Sequence, residues 1–259
     1  MTFSLYTILA KQSLKEFTTY RMTSIMVVIF GFMFTLIEVI AGAVYYSFNN
    51  TIGGFSFEQY ELMIVSLASI TYTYQFLFIG AHEALAEDII EGDLDYIFLR
   101  PINSYFYYAL RRLDFPSLIN LIVYIPVSIY LLIKFDLTPL DWLLVALFYV
   151  VGVLFVFAMN QLVIEVSFWK DNMTALNGVP EYLIDSANRP AKIYPKFIRM
   201  FLVNVIPVLA LSNGIVNLTH VHIHSALSLL LPLLVMTILL LIGSYYIWNI
   251  GLKRYSSAS

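Results

Sequence analysis

Apolar runs long enough to span a bilayer recur along this chain, separated by short polar stretches. They fall at about 23–48, 60–80, 114–133, 142–168 and 226–250, with a further one, broken at Pro207, at 196–218. About 20 apolar residues in helical form cross the hydrocarbon of a membrane. Only structures that satisfy their own backbone hydrogen bonds are stable there. The pattern therefore predicts an all-α polytopic membrane protein of six transmembrane helices. Composition agrees, since 60% of the 259 residues are hydrophobic and 12% charged, against about half and a quarter in a soluble domain. A net charge of -3 argues against nucleic acid as a partner. The absence of cysteine excludes disulfides and thiolate metal sites. No internal repeat or low-complexity linker divides the chain, so residues 1–259 read as one transmembrane domain.

Residues 1–20 read as an amphipathic helix lying in the interface, with Phe3, Tyr6, Ala10 and Phe17 on one side and Lys11 and Lys15 on another. Ala41-Gly42-Ala43 resembles a signal cleavage site, but the run around it is span-length and reads as an uncleaved first span. Gly53-Gly54 marks a turn before the second span. Arg111 and Arg112 mark a cytoplasmic flank, and Pro116 and Pro126 are candidate kink points in the third span.

Between the second and third spans lies a polar stretch, 82–101, reading HEALAEDIIEGDLDYIFLRP. Glu83, Glu87 and Glu91 recur at i, i+4 and i+8 and share one helical face, with Leu85, Ile89 and Ile90 as a small apolar face beside them. Gly92 suits a left-handed helix end, and Pro101 blocks further helix. A charged helix between two spans predicts a soluble partner that touches it; a solvated loop helix with no partner is the plain alternative. The chain has no Gly-x-x-x-x-Gly-Lys-Ser/Thr loop. Any ATP that drives it is hydrolysed on another polypeptide.

The order Gly92, Asp93, Leu94, Asp95, Phe98, Leu99, Arg100, Pro101 resembles the segment after the second span in permease subunits of type-2 ABC exporters, in the daunorubicin or viologen exporter-like branch. The segment YPKFIRMFLVNVIPVLAL, from Tyr194 to Leu211, resembles the family's segment before its last span, and GLKRYSSAS from Gly251 resembles its closing basic-aromatic tail. With the hydropathy pattern, the likeness covers nearly the whole chain. It implies a transmembrane subunit of an ATP-driven exporter in the cytoplasmic membrane of a bacterium, with both termini cytoplasmic. It also implies two copies of a separate ATPase that carry ATP and magnesium, a second permease that is a copy or a paralogue, and a drug-like, peptide or amphipathic cargo. No cofactor is expected in this chain. Glu83, Glu87, Ile90, Glu91, Gly92, Asp93, Leu94, Arg100 and Pro101 become the ATPase-coupling residues. The family order makes 172–189 the fifth span and 190–219 a pair of re-entrant helices. Hydropathy and the positive-inside rule instead make 196–218 the fifth span, because the family order leaves Arg189, Lys192, Lys196 and Arg199 outside.

A carboxylate in mid-bilayer costs about 3 kcal/mol on insertion scales, so intramembrane polar groups face a wet path or a partner. The candidates for a translocation path are Glu38, Asn160, Gln161, Asn177, Glu181 and Asp185. Glu165 belongs to the same intramembrane polar set, but it is close to the cytosolic end, so snorkelling and a functional role stand level for it. The same carboxylates would serve an ion-coupled secondary transporter, a rival reading that calls for inverted repeats the sequence lacks. His220, His222 and His224 alternate and would share one face of a strand as ligands of a membrane metalloenzyme, but a lone triplet reads better as a polar turn between helices.

Overall fold

The computed structural model describes residues 3–98, 103–170, 178–219 and 223–255. The amphipathic helix α1 (Phe3–Thr19) breaks at Tyr20 and leads into α2 (Arg21–Tyr46). Gly53 and Gly54, both at positive φ, then turn the chain, with an isolated bridge between Ile52 and Phe55. α3 (Phe57–Tyr74) starts at a capping box: the Ser56 N–H donates to Gln59 Oε1 at 2.9 Å, and the Gln59 N–H donates back to Ser56 Oγ at 3.4 Å. A π-helical turn, Gln75–Ile79, joins α3 to α4 (Gly80–Glu91).

A separate span and charged helix were the expectation here, and the structure corrects it. Phe57–Glu91 is one helical rod of 35 residues, about 52 Å long at 1.5 Å per residue. Nothing between Gly80 and His82 breaks a helix, so the rod is longer than the roughly 30 Å of hydrocarbon.

The short helices α5 (Asp95–Phe98) and α6 (Ser104–Ala109) follow, and Asn103 Oδ1 caps α6 by accepting from the Tyr105 N–H. Asp114 caps α7 (Phe115–Ile133), accepting from the Ser117 N–H at 3.0 Å. Pro116 sits in the first turn of α7, where proline costs no hydrogen bond, so only Pro126 lies inside the helix. A second capping box, Thr138 with Asp141, opens α8 (Pro139–Ile164), which tightens to a 3-10 turn at Glu165–Phe168. The chain continues through α9 (Val179–Asp185), α10 (Lys196–Asn204), α11 (Ala210–Leu218) and α12 (Ile223–Arg254). Among the described residues, five helices are long and apolar enough to cross a membrane, namely α2, the Phe57–Glu91 rod, α7, α8 with its 3-10 turn, and α12.

α3 is the hub, packing on α2, α7, α8 and α11, while α12 closes the far side against α8 and α11. Ile70, Phe148, Phe155, Leu211 and Trp248 are fully buried in this core. Two glycines set the closest approaches. A Cβ on Gly42 would meet the Tyr60 ring at 2.1 Å, and one on Gly214 would meet the Phe148 ring at 2.2 Å. Small residues at such crossings let helices pack without a hydrophobic drive between them.

The bundle has two distinct ends. At one, α1 meets the α4 region: Ser13 Oγ accepts from the Leu113 N–H at 3.1 Å, and the Phe17 and Phe115 rings lie 6.1 Å apart. The π turn frees the Phe76 carbonyl, which accepts from the Asp114 N–H at 2.9 Å. Phe168, at the foot of α8, packs on Trp248 at that end. At the other end, Pro190 and Lys192 press on Gly53 and Gly54, and Gln59 Nε2 donates to Thr219 Oγ1 at 2.9 Å. Between Phe168 and Pro190 the chain therefore passes from the α4 end to the Gly53–Gly54 end. From Pro190 it dips inward until Leu211 meets Gly152 in the middle of α8, then returns along α11 to Thr219.

Candidate functional site

Residues 179–189 are too short and too polar to hold a place in the bundle by apolar packing alone, and their backbone leaves helical form after Asn188. Side chains from α11 take up the freed backbone groups. Ser212 Oγ donates to the Ala187 carbonyl, Asn213 Nδ2 donates to the Arg189 carbonyl at 3.2 Å, and Asn213 Oδ1 accepts from the Ala191 N–H at 2.8 Å. Tyr194 Oη adds a bond to the Ser186 carbonyl at 2.8 Å. Ile184 and Ala187 then turn into the core. Glu181, Asp185 and Asn188, spaced i, i+4 and i+7, face the opposite way.

That polar face closes one side of a cavity of about 690 Å³ between α2, α3 and α8. Glu38 enters from α2, Asn160 from α8, and Glu181, Asp185, Asn188 and Arg189 from the anchored segment. Phe34, Ile64, Leu67 and Val156 supply apolar wall. Three carboxyl groups against one guanidinium give it acidic character. Glu181 and Asp185 keep exposed surface, so the cavity is open rather than sealed. Glu181 lies within electrostatic reach of Tyr74, at one end of α3, and Arg189 within reach of Tyr60, near the other.

Four of the six residues expected to line a path thus converge, from three separate parts of the chain. Asn177 lies outside the described residues. Gln161 does not reach the cavity. One residue beyond Asn160, it is turned about 100° around α8 and is buried in a hydrogen-bonded chain. Gln161 Nε2 donates to Glu165 Oε1 at 2.8 Å, and its Oε1 accepts from His82 Nε2 at 2.9 Å. His82 Nδ1 then accepts from Tyr74 Oη at 2.8 Å. This order requires a neutral imidazole with its proton on Nε2. Glu165 does not snorkel. It is fully buried, and its Oε2 has no partner.

Sequence reasoning missed Thr35, Thr71, Tyr72, Tyr74 and Gln75 on the cavity wall. The spacing of Thr71 and Gln75, i and i+4 within an apolar span, was the available signal.

At the α4 end, Glu83, Glu87, Ile90 and Glu91 are all exposed on one face, and Asp93 is exposed beyond them. Ile90 parts company with Leu85, which is buried. Gly92 ends the helix at φ 82°. Leu94 is 1% exposed, so it anchors the following turn in the core instead of offering a contact surface. Arg100 and Pro101 lie outside the described residues.

Asp88 was not singled out from sequence, yet it fixes α4 in place. It falls in the register of Ala84 and Leu85, on the buried side, where it pairs with Arg111 and accepts from Tyr108 Oη. Burial pushes the Tyr108 phenol up from its ordinary value, which keeps it a donor. The Arg111 guanidinium also lies 4.4 Å from the centre of the Tyr108 ring.

His220 and His222 lie outside the described residues; among those described, no three His, Asp or Glu side chains gather as a metal site. The family model described as ABC-2 family transporter protein matches residues 32–259. No curated protein and no solved structure matches the chain.

Proposed function

The chain belongs to the ABC-2 family of transporters, and on that premise we propose that it is the membrane half of an ATP-driven exporter whose cargo passes through the 690 Å³ cavity. One observation carries the reading. The rod Phe57–Glu91 lines this cavity along α3 and presents an exposed acidic face along α4. A single rigid element then joins the place where cargo sits to the surface where a separate ATPase docks.

The cavity's acidic balance and apolar wall fit an amphipathic cargo carrying positive charge. Phe34 and Ile37 of α2 border the cavity and are exposed on the bundle's outer side, so a second permease, a copy or a paralogue, would complete its wall. Two ATPase subunits, carrying ATP and magnesium, would serve the pair.

The topology that fits has six crossings, with 172–189 as the fifth and 190–219 entering and leaving from the outer side of a bacterial cytoplasmic membrane. Support comes from the passage between Phe168 and Pro190, and from the return of the chain from Leu211 to Thr219. α10 and α11, nine residues each, reach only about 14 Å apiece. Maleimide that cannot cross the membrane should label Lys192→Cys in intact cells. Labelling only after lysis would return 172–196 to the cytosol.

Docking is tested by Glu87→Lys with Glu91→Lys. The double variant should lose co-purifying ATPase while its permease stays folded; full retention of ATPase and of coupled hydrolysis would overturn the reading. Three carboxyl groups on one cavity favour an ion-coupled carrier as second reading. Export that follows a proton gradient without any ATPase would establish that reading instead.

A further inference from the structure

A second cavity, of about 370 Å³, opens at the Gly53–Gly54 end between α10, α11 and α12. Its cations are Lys192, Lys196 and Arg199, and among the described residues no carboxylate lines it. Among the described residues the one ion pair is Arg111–Asp88, at the opposite end, so these three charges are not neutralised by neighbours. A Cβ on Gly54 would lie 3.0 Å from Lys192 Nζ; glycine there leaves room for the ammonium group.

The helix beneath has two characters. Lys196 and Arg199 line the cavity, while Phe197 and Phe201, one turn apart, are exposed away from the core. Exposed aromatics beside cations on a short amphipathic helix suit the boundary between headgroups and acyl chains. Met200 and Val203 give the cavity an apolar floor. A soluble anion would gain nothing from that floor, whereas an amphiphile with an anionic head would use both parts.

We propose that this cavity binds the phosphate headgroup of an anionic phospholipid, with Lys192, Lys196 and Arg199 around the phosphate and an acyl chain against Met200 and Val203. The site is separate from the cargo cavity, and its charge is opposite. Its occupant would brace the 190–219 segment from the membrane side.

The test uses the full-length permease, with its ATPase where the two co-purify, and short-chain phosphatidylglycerol, phosphatidylcholine and inorganic phosphate as probes, read by native mass spectrometry and by titration. Phosphatidylglycerol should bind at least tenfold tighter than phosphatidylcholine. At roughly fivefold in affinity per cation, Lys192→Gln, Lys196→Gln and Arg199→Gln together should weaken it on the order of a hundredfold. Should that variant fail to fold, the Lys192→Gln, Lys196→Gln pair changes only exposed side chains and should still cost more than tenfold. Equal binding of the two lipids overturns the proposal, as does a phosphatidylglycerol preference that survives the substitutions. Inorganic phosphate binding as tightly as the lipid would assign the cavity to a free anion and overturn the lipid reading.

Discussion

α2 and α3 are both long apolar helices, and hydropathy alone treats them alike. Their situations are opposite. α3 buries Tyr60, Leu62, Met63, Ile64, Val65, Leu67 and Ile70 among four neighbouring helices. α2 buries only Ser24, Gly31 and Gly42, and it leaves Met26, Ile29, Phe30, Phe34, Ile37 and Ile40 exposed. In a membrane an apolar side chain gains little by leaving lipid for protein, so hydrophobicity does not choose which helix goes inside. Small residues and side-chain fit do. α2 attaches along one narrow side, through Gly31 and Gly42 with Phe32, Val39 and Tyr46 beside them, and α3 by a full ring of shaped contacts.

Substitutions that break this contrast should have graded effects. The largest is Ile70→Ala, which opens a hole where α3 meets Gly152 of α8 and should cost about 2–5 kcal/mol. Thermal unfolding of the purified permease measures it, and an unchanged midpoint would deny α3 its central place.

Next comes Asp88→Asn, on the continuation of the α3 rod. It weakens charge-assisted bonds to Arg111 and Tyr108 and should cost about 1.5–3 kcal/mol. Hydrogen exchange should rise in α4 and α6 while α7 stays protected. A uniform rise would mean that Asp88 holds the whole bundle.

Gly42→Ala follows, at about 1–3 kcal/mol, because the Tyr60 ring must yield to the new methyl. Its loss should appear as weaker α2–α3 cross-linking, with the α3–α8 contact intact.

The smallest effect belongs to Ile29→Ala on the exposed side of α2, within about 0.5 kcal/mol for the single chain. A much larger loss in the assembled exporter than in the lone permease would locate a second subunit on that face.

Much of this was legible before any coordinates. The apolar runs located the five long helices, and the i, i+4, i+8 spacing of Glu83, Glu87 and Glu91 identified an exposed face. Polar residues inside apolar runs picked out Glu38 and Asn160, while Glu181 and Asp185 were picked out through the family order that makes 172–189 a span. What escaped detection rests on partners far away in sequence. His82 and Gln161 are 79 positions apart, and no local pattern says that an imidazole will meet an amide rather than water. Asp88 sits one residue from Glu87 and has the same chemistry; only the location of Tyr108 and Arg111 decides that one carboxylate is buried and the other free. Glu165 was placed near a surface by its distance along α8, yet α4 and α12 cover that end.

The π turn at Gln75–Ile79 also sets a phase. Tyr74 and His82 are eight positions apart, which in a regular α-helix leaves them about 80° out of line. A π turn takes in one more residue than an α turn, which turns everything beyond it back by about 100°. The two offsets nearly cancel, and the phenol and the imidazole come to the same side of the rod, with ring centres 5.6 Å apart. The same rotation sends Glu83 and Glu87 outward and Asp88 inward. The angular relation between the cavity wall and the acidic face is thus written into five residues that carry no charge, and a substitution at one of the four that follow Gln75 could desynchronise the two without touching either.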